Sequence, residues 1–136
     1  MDCKKILIVE DDADTCDVYN CLLKNQNYDT FFAGDALSAV IETRKLVPDL
    51  IILDLGLPAV DGFFVLERFR ANPDLAEIPV LVVSARDRDL NKERALTLGA
   101  NAYVQKPWNN KALLAIISQL LSQPGLSGFE PKLSGF

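Results

Sequence analysis

Five short apolar runs, separated by segments of helical length, constrain this chain more than any other feature. They are Ile6-Leu7-Ile8-Val9, Tyr28 to Phe32, Leu50-Ile51-Ile52-Leu53, Val80-Leu81-Val82-Val83 and Ala102-Tyr103-Val104. The first, third and fourth are unbroken and rich in branched residues. A half-exposed strand would alternate apolar with polar, whereas a strand covered on both faces need not. The intervening segments repeat apolar residues at near-helical spacing. Residues 13–26 carry Cys16, Tyr19, Leu22 and Leu23. Residues 36–46 carry Leu37, Val40 and Ile41. Residues 62–70 carry Phe63, Leu66 and Phe69. Residues 87–98 carry Leu90, Ala95 and Leu98, with Gly99 as a C-terminal stop. Residues 109–121 carry Leu113, Ile116, Ile117, Leu120 and Leu121, with Asn109 as an N-cap. Strand and helix alternate five times. The expected fold class is α/β, a five-stranded parallel sheet between two helix layers.

Composition excludes several functions. With 136 residues, 49% apolar and 24% charged, the chain suits one globular domain. The net charge of −5 and the lack of a basic run argue against direct nucleic-acid binding. No apolar stretch nears the ~20 residues that span a bilayer. Cys3, Cys16 and Cys21 lack C-x-x-C spacing, so they are expected to be reduced thiols of a cytosolic protein, buried as small hydrophobes. The chain has no histidine, which removes imidazole as catalyst or metal ligand. Past Leu121 the pattern stops, and Leu-Ser-Gly-Phe occurs twice, at 126–129 and 133–136. The expected organisation is one domain over 1–121 and a linker or flexible tail over 122–136.

In open α/β sheets ligands bind beyond the carboxyl ends of the strands. There the sequence places Glu10-Asp11-Asp12, Asp54, Ser84 and Gln105-Lys106-Pro107. Singly, each residue could merely cap a helix or start a turn. Together, the carboxylates repel unless a cation relieves them. Magnesium, a hard ion that takes oxygen ligands, is the expected cofactor, and no EF-hand spacing favours calcium. A metal, a strand-end Asp, a Lys and a hydroxyl suit phosphoryl transfer, in which catalysis is chiefly positioning and charge neutralisation.

The motifs Ile-Leu-Ile-Val-Glu10-Asp11-Asp12, Asp54-Leu-Gly-Leu-Pro58, Asp61-Gly62, Val-Val-Ser84-Ala85, Gly99-Ala100 and Tyr103-Val-Gln-Lys106-Pro107 resemble, in order, those of the response-regulator receiver family of two-component signalling. The resemblance runs from about Lys5 to Leu121. It implies the flavodoxin-like fold with strand order 2-1-3-4-5 and a chain that catalyses only its own phosphorylation and dephosphorylation. Asp54 would be the phosphoacceptor. Asp11 would bind the metal directly and Glu10 through water, with Asp54 and the backbone carbonyl of Gly56 completing the Mg²⁺ set. Asp12 would start a helix. Lys106 would pair with the phosphoryl group, and its bond to Pro107 would be cis. Ser84 and Tyr103 would be the switch pair, the ring filling space that the hydroxyl leaves.

The implied partners are a sensor histidine kinase or phosphotransfer protein and an output domain or effector, with a homodimer open. The chain could stand alone or be part of a longer regulator. Two departures stand out. Gly56 replaces a larger side chain and should admit water to the acceptor. Phe64 replaces a usually polar residue, as a half-covered aromatic or a partner contact. Other readings stay open: a haloacid-dehalogenase-like phosphohydrolase, which wants an Asp where Gly56 stands; a flavodoxin-like cofactor binder, whose phosphate Glu-Asp-Asp would repel; and a degenerate receiver kept for docking.

Overall fold

The computed structural model describes residues 3–122. The tail, with its two Leu-Ser-Gly-Phe copies, lies outside them. Strands and helices alternate: β1 Lys5–Val9, α1 Ala13–Lys24, β2 Asp29–Ala33, α2 Ala36–Leu46, β3 Leu50–Leu53, α3 Gly62–Ala71, β4 Val80–Ser84, α4 Arg88–Thr97, β5 Ala102–Gln105 and α5 Asn110–Ser122. All five strands are parallel, in the order β2-β1-β3-β4-β5.

The unbroken apolar runs form the three central strands, buried along nearly their whole length. Strand alternation then splits their side chains between two cores. Leu7, Val9, Ile51, Leu53, Val80 and Val82 pack on one face with Phe63, Leu66 and Phe69 of α3 and Ala39 of α2. Ile6, Ile8, Leu50, Ile52, Leu81 and Val83 pack on the other with Tyr19 and Leu23 of α1 and the Leu113-Ile116-Ile117-Leu120 stripe of α5. Burial of this kind stabilises by about 25 cal/mol per Å² of apolar surface.

Each helix starts beneath an Asx cap. Asp12, Asp35, Asp61 and Asp87 accept from the first-turn amides of α1 to α4, and Asn109 accepts from Ala112 at the start of α5. A cap of this type contributes about 1 kcal/mol. Because every crossover leaves a strand end and enters a helix start, all five caps lie at the carboxyl edge of the sheet. At the other end of α4, Gly99 has φ +113°, and a Cβ there would come within 2.5 Å of the Arg70 side chain.

Four expectations are corrected. The second strand is shifted by one residue, and as an edge strand it leaves Phe31 and Phe32 partly exposed. The inward side of α2 is Ala39 and Thr43 with Val40 half-buried, while Leu37 is 71% and Ile41 47% exposed. Small residues let α2 approach the sheet closely, and Thr43 donates its hydroxyl to the Ala39 carbonyl. Likewise α4 buries Ala95 and leaves Leu90 exposed. The cysteines are free, as expected, but not buried: Cys3 and Cys21 are exposed and Cys16 is intermediate. The inward stripe of α1 is Tyr19 and Leu23, and Cys21 falls between its positions.

Candidate functional site

At the carboxyl edge, β1 delivers Glu10 and Asp11, β3 delivers Asp54, β4 ends in Ser84 and β5 leads to Lys106. Glu10, Asp54 and Ser84 are buried, whereas Asp11 is exposed. Backbone pairing continues past the strands and fixes these positions: Glu10 N donates to Ala33 O, Asp54 N to Val9 O and Lys106 N to Ser84 O. One carboxylate oxygen from each of Glu10, Asp11 and Asp54 lies within 4.8 Å of the others, an arrangement able to hold a metal ion. All the side-chain donors are hard carboxylate oxygens, which suits magnesium.

Lys106 enters this cluster as the counter-charge. Its Nζ lies 2.7 Å from Glu10 Oε1 and 3.3 Å from Asp54 Oδ2. The Lys106–Pro107 peptide is cis. Burial pushes the Glu10 carboxyl above the usual range, and the Asp54 charge adds to this. Lys106 and the Asp12 amide pull it back without cancelling the rise. Burial opposes the Lys106 ammonium, but its contacts with Glu10 and Asp54 prevail and hold it above its ordinary value. The pocket is thus held together by opposite charges in a partly dry environment.

Around Asp54 the wall is low. Oδ1 accepts from Gly56 N at 3.1 Å. A Cβ at Gly56 would touch only the Asp54 carboxylate, at 3.8 and 4.0 Å. Gly62 is the opposite case, since a Cβ there would lie 2.4 Å from Leu55 Cα. At this point α3 packs on the segment following the acceptor.

Ser84 and Tyr103 are both about 1% exposed. Their hydroxyls interact directly, and both also bond the backbone of Arg86. Arg86 donates its amide to Ser84 Oγ at 3.2 Å, and its carbonyl accepts from Tyr103 OH at 2.9 Å. Its guanidinium pairs with Asp61 at 3.3 Å, so it also ties the β4–α4 loop to the start of α3. Arg86 sits two residues past the strand end at Ser84, which hid it. The Tyr103 ring is buried in this arrangement. Trp108 stacks on Tyr19 with ring centroids 4.8 Å apart, and it lines one depression with Lys106, Pro107, Thr15 and Val18. Tyr19 was legible as a core position, but its partner was not.

Residues 6–118 match the family model of the response regulator receiver domain. The chain belongs to that family. This receiver domain is 36% identical over 116 residues to the sensory transduction protein RegX3 of Mycolicibacterium smegmatis, covering 85% of this chain and 50% of that protein. It is 38% identical over 117 residues to the DNA-binding dual master transcriptional regulator RpaA of Synechocystis sp., covering 86% and 48%. The chain therefore spans about half the length of these curated relatives. Among solved structures, it resembles the receiver domain of the sensor histidine kinase PA1611 from Pseudomonas aeruginosa PAO1, which has a magnesium ion coordinated in its active-site cleft. The TM-score is 0.81 at 25% identity, over 90% of this chain and 100% of that one. The receiver domain has the expected fold and strand order. Family membership favours the phosphoacceptor reading over the phosphohydrolase and cofactor-binder readings. Among the described residues, no helix is long and apolar enough to cross a membrane.

Proposed function

We propose that this receiver domain accepts a phosphoryl group on Asp54 from a cytoplasmic sensor histidine kinase or phosphotransfer protein. The supporting observation is the Lys106 ammonium set between Glu10 and Asp54 beside a three-carboxylate cluster. An Asp54 oxygen attacks phosphorus, the P–N bond of the donor phosphohistidine breaks, and the leaving imidazole takes a proton. The donor histidine lies outside these 136 residues, which contain none. Lys106 pairs with one phosphoryl oxygen and Ser84 Oγ bonds another. Glu10, Asp11, Asp54 and the Gly56 carbonyl would hold Mg²⁺, which when bound neutralises charge building on the phosphoryl oxygens. Water entering over Gly56 later hydrolyses the acyl phosphate, so the chain catalyses only its own loading and unloading.

The Ser84–Arg86–Tyr103 connection then carries the change to an output domain or effector. In this reading residues 1–121 act as the receiver, with α5 running one residue further to Ser122, and 122–136 act as a linker. The test is incubation of the chain with acetyl phosphate and Mg²⁺. Addition of one hydroxylamine-labile phosphoryl group, lost with EDTA or in Asp54→Asn, is expected. Equal labelling of Asp54→Asn would refute the site.

A further inference from the structure

We infer that the cleft between α2 and α3 is a docking groove for a partner's amphipathic helix bearing carboxylates along its flanks. Single exposed apolar residues are ordinary on protein surfaces, but contiguous ones are not. Here Leu37 is 71%, Ile41 47% and Phe64 51% exposed. Leu37, Val40, Ile41 and Arg44 follow i, i+3, i+4, i+7 spacing and form one stripe of α2. Phe64 and Arg68 form the facing stripe of α3. Leu37, Val40, Phe64 and Arg68 line a depression of about 170 Å³. Val40 and Arg68 also line a second one of about 510 Å³, with Arg44 on its wall. The two depressions share Val40 and Arg68 as common walls along the α2–α3 cleft, which is apolar toward the helix starts and basic toward their ends. A groove between two helices accepts a third helix through anchors at this same spacing.

Charge selects the occupant. The chain carries net −5, yet no Asp or Glu lines either depression. Among the described residues, neither Arg44 nor Arg68 is ion-paired; the Arg68 guanidinium lies over the Phe64 ring at 5.7 Å. A second copy paired through this face is disfavoured, because the face offers no carboxylate to meet Arg44 and Arg68. The segment 123–136 is also a poor match, since Glu130 is offset by Lys132.

The experiment titrates the full chain with a synthetic amphipathic Leu/Glu helix and, separately, with its Leu/Lys counterpart. Binding is read by fluorescence anisotropy and located by amide NMR shifts. The acidic peptide should bind more tightly and shift residues 36–46 and 62–72. Leu37→Asp with Phe64→Asp should weaken it roughly tenfold or more. Arg44→Glu with Arg68→Glu should reverse the preference toward the basic peptide. Three results would overturn the assignment: equal or no binding of the two peptides; a chain dimer that Leu37→Asp and Phe64→Asp dissociate, which assigns the groove to a second copy; or shifts in residues 123–136 on making that double variant, which assign it to the chain's own tail.

Discussion

The ammonium of Lys106 lies 2.7 Å from Oε1 of Glu10, a residue 96 positions away in the chain. The Glu10 side chain is only 3% exposed and that of Lys106 20%. The pair therefore joins the ends of β1 and β5 in an environment where an unmatched charge is costly.

Removing Lys106 should expose that cost. Breaking a fully buried ion pair typically costs about 3–5 kcal/mol. Lys106 retains some solvent contact, so Lys106→Met should lose less, about 1–3 kcal/mol on the same scale. Added Mg²⁺ should restore much of the loss, because it supplies the missing positive charge to Glu10, Asp11 and Asp54. Urea unfolding with and without Mg²⁺ measures both. Equal stability of variant and wild type in EDTA would show that the pair is not structural.

Ser84 should separate receiving the phosphoryl group from responding to it. A charge-assisted hydrogen bond contributes about 1.5–3 kcal/mol, whereas inverting a two-state equilibrium from 1:99 to 99:1 takes about 5.5 kcal/mol. Ser84 must then act together with Lys106 or a bound partner. Ser84→Ala should still load Asp54 but show a reduced change in amide exchange across residues 85–105 on adding beryllofluoride. Arg86, bonded to both Ser84 and Tyr103, should show the largest wild-type change. A full response in Ser84→Ala would return Tyr103 to ordinary packing.

Gly56 should set the lifetime of the acyl phosphate. A Cβ there clears the backbone and touches only the acceptor carboxylate, so Gly56→Met should fold and cover it. Dephosphorylation followed after removal of donor should slow several-fold. Unchanged or faster loss would show that water arrives by another route.

Much of this was legible in the sequence. Unbroken Ile/Leu/Val runs identified the central strands because burial on both faces removes alternation. The strand-end carboxylates, Ser84 and Lys106 were visible because the fold class sends strand ends to one edge. Less legible were contacts fixed by packing. Spacing alone chose Leu37 and Ile41 for the inner face of α2, while close approach to the sheet selected Ala39 and Thr43. Arg70 gave no signal at all. From α3 its guanidinium donates to the carbonyls of Gly99, Ala76 and Ile78 and to Asn101 Oδ1. Such a partner set exists only once two distant loops have met.

Arg70 should accordingly be a stability residue. Burial holds its pKa below the ordinary arginine value, yet the fork remains matched to several carbonyls. Arg70→Met should cost about 2–4 kcal/mol, given 1.5–3 kcal/mol for a hydrogen bond to a charged group and partial resolvation of the loops. Arg70→Lys should recover little, since one ammonium cannot span both loops. Urea midpoints check this, and phosphoryl uptake at a temperature where the variant is folded should be unaffected.

The most direct measurement locates the phosphoryl group itself. The chain is loaded with acetyl phosphate and Mg²⁺, the acyl phosphate is reduced with borohydride, and peptides are mapped by mass spectrometry. Conversion of Asp54 to homoserine, with Glu10 and Asp11 unchanged, is the expected result. Reduction at another carboxylate, or none under conditions that load a control receiver domain, would contradict the assignment of Asp54.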